Sequence, residues 1–311
     1  MFGRRLAAKV EDYVALRRSL GYVFNVQAAT LRSFVAYVRK RREVGSLTTA
    51  VAVSFVMSND VTPAVRARRY AVLVRFAEYL ALFDARTPTL DPKALPSSRS
   101  TPPARILDDA ELARLLAAAR SLYSRDVLRA ETLFTMLGLL ASTGLRSGEA
   151  RRLDRSDVDL ATGLLQIRRT KFRKDRLVPV HPTTRDRLRA YALMRDRALP
   201  RAPSAAFFVT ARGQRLSWST FGRAFRQARS DAGLLDAQPR MLRPHDLRHR
   251  FATKRIAQWH RANVDVQARL PVLAAYLGHV RYSDTAYYIT GTAELLGIAA
   301  ARVFGDRDAA P

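Results

Sequence analysis

Residues 87–104, TPTLDPKALPSSRSTPPA, place five prolines among serines and threonines. Proline has no backbone N–H and turns the residue before it toward extended conformations. A stretch this rich in proline reads as a linker rather than as part of a helix or inner strand. A chain of 311 residues interrupted here is expected to fold as two bodies, each with its own core. The reading that follows is a first domain at 1–90, a linker at 91–104 and a second domain at 105–311. Hydrophobic residues make up 48% of the chain, enough to supply both cores.

Before the linker, apolar residues recur at helical spacing. LAAKVEDYVALRRSLGY carries Leu6, Val10, Tyr13, Val14 and Leu16, and VQAATLRSFVAYVRKRREV and PAVRARRYAVLVRFAEYLALF repeat the period with arginine and lysine on the other faces. This predicts a small basic helical bundle. After the linker, Asp108 with Glu111 three residues on suggests an N-cap, and ETLFTMLGLLASTG reads as a buried helix ending near Gly144. GLLQIRRTKFRKDRLVPV alternates apolar and polar residues on both sides of a charged turn, which predicts a β-hairpin with its tip near Lys171–Asp175. Residues 206–210, AFFVT, could form a short strand. SWSTFGRAFRQARSDAG reads as a helix capped by Ser217 or Ser219, and HDLRHRFATKRIAQWH, PVLAAYLG and AELLGIAAARVFG read as further helices. The fold class is mainly α with one small antiparallel β-sheet. No internal repeat and no glycine-rich phosphate loop is present in the sequence.

The chain holds 54 Lys+Arg against 27 Asp+Glu, a formal net charge of +27. Such an excess favours a polyanionic partner, nucleic acid first. A membrane surface is the weaker alternative, since no apolar run approaches the roughly 18 residues of a span. Cysteine is absent, which removes disulfides, thiolate chemistry and cysteine-ligated zinc. The start, MFGRRLAAKVEDYV, does not read as a signal peptide, so the cytoplasm is the expected location. Lysine occurs only at 9, 40, 93, 171, 174 and 254. A chain that uses arginine for plain positive charge draws attention to its lysines, and Lys171 and Lys174 sit close together.

Four separated segments concentrate chemistry. RPHDLRHRFA puts His245, Arg248 and His249 at i, i+3 and i+4, one face of a helix. STGLRSGEARRL puts Arg146 just after the helix-ending Gly144, with Glu149 nearby. The hairpin puts Lys171 at its tip. YLGHVRYSDTAYYI puts His279 after a Leu-Gly helix end and Tyr288 nine residues later. Each alone has a bland reading: a basic solvated face, a surface arginine, a solvated lysine, a tyrosine in a core.

Taken in order, Arg, Lys, His-x-x-Arg, Leu-Gly-His and Tyr, they resemble the tyrosine recombinases, or phage integrases, which include the Xer-type recombinases. The resemblance covers essentially the whole chain. It implies an N-terminal SAM-like, core-binding helical bundle and a C-terminal catalytic domain. It aligns Arg146 in TGLR, Lys171 in the hairpin, His245 and Arg248 in HxxR, His279 in LGH and Tyr288 with the family's site residues; Lys174 and Tyr287 are the competitors. The stretch between Arg248 and Leu277 is longer than usual, lacks the glycine that commonly ends its first helix, and has Arg250 where a small Ser or Thr is commoner.

The resemblance implies site-specific recombination of duplex DNA, for a mobile element or phage, through a covalent 3′-phosphotyrosyl intermediate. The phosphorane transition state gathers charge that two arginines can clamp, since arginine is planar and always protonated. That assigns Arg146 and Arg248, each donor worth on the order of 3 kcal/mol. The leaving 5′-oxygen needs a proton, which arginine cannot give and a lysine among cations can. That assigns Lys171. Tyrosine, with a pKa of about 10, must lose its proton as it attacks. The resemblance makes His245 the base and His279 a donor to the phosphate. His249 and Glu149 read as structural, and Asp246 as orienting a neighbour or capping the helix. No metal or other cofactor is implied. The expected partners are double-stranded DNA, further copies of the chain in a tetramer on two DNA sites, and accessory recombination proteins, with no membrane. AELLGIAAARVF is the candidate segment for docking on a neighbouring copy. A type IB topoisomerase-like activity and a non-catalytic DNA-binding protein on the same fold stay open as alternatives.

Overall fold

The computed structural model describes residues 2–43, 45–58, 60–95, 104–123, 126–168, 175–201, 203–235 and 240–279. The chain divides into two compact units, Met1–Thr101 and Pro102–Pro311.

The first unit holds α1 (Phe2–Ser19), α2 (Asn25–Lys40), α3 (Thr49–Met57) and α4 (Pro63–Ala81). Thr48 caps α3 by accepting the Val51 N–H, and Pro63 opens α4, where a missing N–H costs nothing. Leu6, Val10, Tyr13 and Val14 of α1 meet Leu31, Phe34 and Val38 of α2, Phe55 of α3, and Leu73 and Phe76 of α4 in one core. Leu16 departs from the expected stripe and is exposed. Two residues past Val14 it lies about 200° round the helix, off the buried face. Leu90 and Leu95 of the proline-rich stretch also pack against this core.

The second unit is built round α6 (Val127–Thr143), most of whose residues are buried. Against it pack α5 (Asp109–Ser121), α8 (Pro182–Ala198), α9 (Trp218–Asp231) and α10 (Asp246–Arg261). The capping box is present: Asp108 accepts the Glu111 N–H at 2.7 Å, and Glu111 accepts the Asp108 N–H at 3.0 Å. Ser217, rather than Ser219, caps α9, accepting the Thr220 N–H. A short α7 (Ser147–Arg152) leads through a 3-10 turn to β1 (Val158–Asp159), β2 (Leu164–Ile167) and β3 (Arg176–Pro179). These form a three-stranded antiparallel sheet in the order β1-β2-β3. The fold is therefore mainly α with one small antiparallel sheet.

Strands β2 and β3 are the expected hairpin, paired from Leu164↔Pro179 to Ile167↔Arg176. β1, two residues long, is too short to show alternation in the sequence. Residues 206–210 do not form the expected strand. They make only isolated bridges, Asp154↔Ala206 and Val209↔Arg215. Their apolar run has a different cause: Ala206, Phe207, Phe208 and Val209 are all buried, with Phe207 and Phe208 against Tyr191 of α8.

Helix α10 ends without a glycine. Asn263 takes the left-handed conformation instead, at φ 51°, and the Val264 N–H bonds the Trp259 carbonyl at 2.9 Å. Asparagine is the residue that best replaces glycine at such a C-terminus. Helix α11 (Val266–Leu277) follows, capped by Asp265 and begun earlier than the expected PVLAAYLG. The expected helix AELLGIAAARVFG lies outside the described residues.

Candidate active site

Two helix ends meet the start of a third here. α6 stops at Gly144 and α11 at Gly278, both left-handed at φ 64° and 71°. A Cβ on Gly144 would stand 2.6 Å from Phe251 Cδ1 and 2.9 Å from Leu277 Cδ2. Only glycine lets the end of α6 lie this close to α10 and α11.

Arg248, in the first turn of α10, fills the junction and is 1% exposed. Its Nη1 donates to the Gly144 carbonyl at 2.8 Å, and its Nη2 donates to the Leu277 carbonyl at 2.8 Å. Nη2 also lies 2.7 Å from His279 Nε2. Arginine can only donate, so Nε2 accepts and the proton of the neutral imidazole sits on Nδ1. Burial, then the neighbouring Arg248 and Arg146, push the His279 pKa down to about 3.

Arg146 begins α7. Its Nη1 donates to Glu149 Oε1 at 2.9 Å and its Nη2 to the Gly278 carbonyl at 3.3 Å. Its side chain keeps 30% exposure, whereas Arg248 is buried. Glu149 is 4% exposed. It also accepts the Arg146 backbone N–H at 3.0 Å and two bonds from Arg176 of β3, at 3.2 and 2.9 Å. Burial pushes the Glu149 carboxyl up, but Arg176 and Arg146 outweigh it and hold the pKa below the usual value.

His245 stands at the N-terminal end of α10, with its ring edge-on to His249 at 4.9 Å between centroids. Desolvation by the packed protein, then His249, Arg248 and Arg146, push its pKa down, although its outer face meets solvent. Burial pushes His249 down to about 4, with Asp246 opposing. Asp246 is 0% exposed, accepts from Arg240 Nη1 and Nη2 at 2.7 and 2.6 Å, and accepts the Arg243 N–H at 2.8 Å. It fastens the segment that enters α10. Arg250 turns away, donating to the Leu107 carbonyl at 3.1 Å and to Asp109. An arginine can stand in this unusual place because it ties α10 to the start of α5.

Of the residues singled out by sequence, the structure brings Arg146, His245, Arg248 and His279 together. Lys171 and Lys174, and Tyr287 and Tyr288, lie outside the described residues. Sequence reasoning missed Arg176. The signal was there: Arg176 and Val178 share one face of β3, and Val178 is buried while Leu177 between them is exposed. An arginine in phase with a core valine needs hydrogen-bond acceptors inside the protein.

At neutral pH the described site thus presents two guanidinium groups and two neutral imidazoles. Such a set binds an anionic oxygen group and can take up or pass on a proton.

Residues 105–294 match the sequence profile of the phage integrase family. The protein y4rE of Sinorhizobium fredii (strain NBRC 101917 / NGR234), whose name calls it an integrase/recombinase, is 53% identical over 309 residues, 99% of each chain. The similarly named y4rB of that organism is 35% identical, covering 92% of this chain and 93% of its own. Among solved structures, the XerH site-specific recombinase bound to palindromic difH substrate is similar with a TM-score of 0.65 and 19% identity, over 89% of this chain and 78% of that one. The Tn1549 transposon integrase in complex with transposon right end DNA is similar with a TM-score of 0.64 and 15% identity, over 94% and 98%. At these identities the two structures speak for the fold.

Proposed function

The chain belongs to the phage integrase family, the tyrosine recombinases, and from that premise we propose that it cuts and rejoins double-stranded DNA at specific sites through a 3′-phosphotyrosyl intermediate. The observation that carries the reading is the convergence of Arg146, Arg248 and His279 on the junction of α6, α10 and α11, with His245 close enough to feel the charges of Arg248 and Arg146. In this reading Tyr288 Oη attacks phosphorus and the bond to the 5′-oxygen breaks. The tyrosine proton passes to His245, and Lys171 supplies the proton that the leaving 5′-oxygen takes. Attack by a 5′-hydroxyl of a partner strand reverses each transfer and releases the tyrosine.

The geometry suits those roles. Arg146, the more exposed of the two arginines, serves one non-bridging oxygen. Arg248 is pinned by two carbonyls, so its orientation is set before the phosphate arrives, and preorganisation of this kind needs no rearrangement during reaction. Neutral His245 can accept a proton, and an arriving phosphate raises the low pKa that desolvation first, and then His249, Arg248 and Arg146, impose. His279, its proton on Nδ1, serves as a donor to the phosphate.

The rest of the proposal concerns assembly and setting. The first unit serves as the core-binding domain and the second as the catalytic one. Four copies act on two DNA sites, with residues 293–311 engaging a neighbouring copy and accessory recombination proteins assisting. The element served is a mobile element or phage, and the cytoplasm is the place of action. Among the described residues no helix is long and apolar enough to cross a membrane.

Covalent trapping tests the reaction. Wild type, Tyr288→Phe and Tyr287→Phe are incubated with nicked duplexes drawn from the DNA flanking the chain's gene, then run on a denaturing gel. A slow band lost only in Tyr288→Phe is expected. Loss only in Tyr287→Phe would move the nucleophile by one residue, and duplex binding without any band would leave a DNA-binding protein without this chemistry.

A further inference from the structure

One side chain outside the aligned motif set touches two of the elements that carry it. Arg176 of β3 donates to Glu149 through both Nη atoms, at 3.2 and 2.9 Å, and through Nε to the Tyr276 carbonyl in the last turn of α11 at 2.9 Å. Its guanidinium also fills the space beside Gly278, where a Cβ would stand 2.7 Å from Nη1. Glu149 in turn holds Arg146, and Gly278 directly precedes His279. We propose that Arg176 is a positioning residue for strand transfer: it keeps Glu149 and the end of α11 in place, and through them Arg146 and His279. The inference rests on the function proposed above.

The fork is what makes this role specific. Glu149 is shared between two guanidinium groups, which leaves Arg146 bound by one Nη to the acid and by the other to the Gly278 carbonyl. Without Arg176 the whole carboxylate falls to Arg146. The tighter pair would draw Arg146 back from the DNA phosphate and offset its charge. At the same time the Tyr276 carbonyl loses its donor and a gap opens beside Gly278. Lysine offers one point charge and cannot span a carboxylate and a carbonyl in this plane. The Arg176 side chain is only 12% exposed and its bonds run inward, so duplex affinity does not depend on it.

The test compares Arg176→Met and Arg176→Lys with wild type on the same nicked duplexes, carrying at the scissile position either a phosphate or a methylphosphonate. The methyl group removes the negative charge that the arginines clamp, so a defect that acts through Arg146 shrinks on it. On phosphate, Arg176→Met should form the covalent adduct roughly 10- to 100-fold more slowly at unchanged duplex affinity, the scale of a misplaced catalytic group. The gap to wild type should narrow on methylphosphonate, Arg176→Lys should resemble Arg176→Met, and the losses in Arg146→Ala/Arg176→Met should be less than additive, the remainder being the part that acts through the end of α11. If the methionine variant does not fold, the lysine variant answers the same question. Wild-type rates in folded variants, or equal slowing on both substrates with additive loss in the double variant, would overturn the positioning role alone. A wild type that yields no adduct overturns the proposed function and this role with it.

Discussion

Arg248 Nη2 and His279 Nε2 stand 2.7 Å apart, so a buried cation dictates which nitrogen of the imidazole carries its proton. The two residues are far apart in sequence and come together because α11 ends where α10 begins. The pairing leaves the proton of the neutral ring on Nδ1.

Replacing Arg248 by lysine tests the fork. One ammonium cannot serve the Gly144 carbonyl, the Leu277 carbonyl and His279 together. Adduct formation by Arg248→Lys should fall about 10²- to 10³-fold. Each carbonyl left without a donor should cost about 1–3 kcal/mol in urea unfolding. A lysine variant with wild-type rate and midpoint would show that charge alone suffices.

Gly144→Ala should be destabilising even though it adds one methyl group. The position has φ 64°, and the new Cβ would meet Phe251 and Leu277 inside contact distance. The left-handed backbone alone costs about 1–2 kcal/mol, and the clash adds to it. Because the Gly144 carbonyl holds Arg248, thermal stability and adduct rate should fall together. A stable variant with a normal rate would contradict the packing described at this junction.

The Asp246–Arg240 pair predicts an asymmetry. Asp246 is 0% exposed and is forked by Arg240. Asp246→Ala should cost about 3–5 kcal/mol because it strands a largely buried cation, whereas Asp246→Leu with Arg240→Met should cost less. Denaturant midpoints of the single and double variants decide it. A double variant less stable than the single would show that the pair is a net source of stability.

Stability should decline in mild acid, with His249 as one measurable cause. Its folded pKa is about 4, below the ordinary value of 6.5. A depressed pKa means the unfolded chain takes up the proton first. The stability is thus fully present above pH 6.5 and is lost as pH falls toward 4. Unfolding midpoints of wild type and His249→Asn across this window should show a shallower decline in the variant. Parallel curves would show that His249 is not the titrating group.

Much of this was legible because it is local. The Asp108–Glu111 box, the stop at Gly144 and the hairpin of β2 and β3 are each written within a few residues, where capping, backbone freedom and alternation act directly. The order of Arg146, His245, Arg248 and His279 was likewise readable, as was their resemblance to a family. The false strand at 206–210 shows the limit: an apolar run reports burial, and pairing needs a neighbour that only the fold supplies.

The sequence by itself determined the helices, the hairpin and the stock of residues for phosphate chemistry, since propensity, periodicity and side-chain chemistry belong to single residues and their near neighbours. The tertiary structure decided which cation is sunk at 1% exposure and which stays open, which imidazole nitrogen holds the proton, and that Arg176 joins Glu149 to the end of α11. Those facts depend on distances between groups remote in sequence. In a packed interior each such distance sets desolvation, hydrogen-bond roles and charge together.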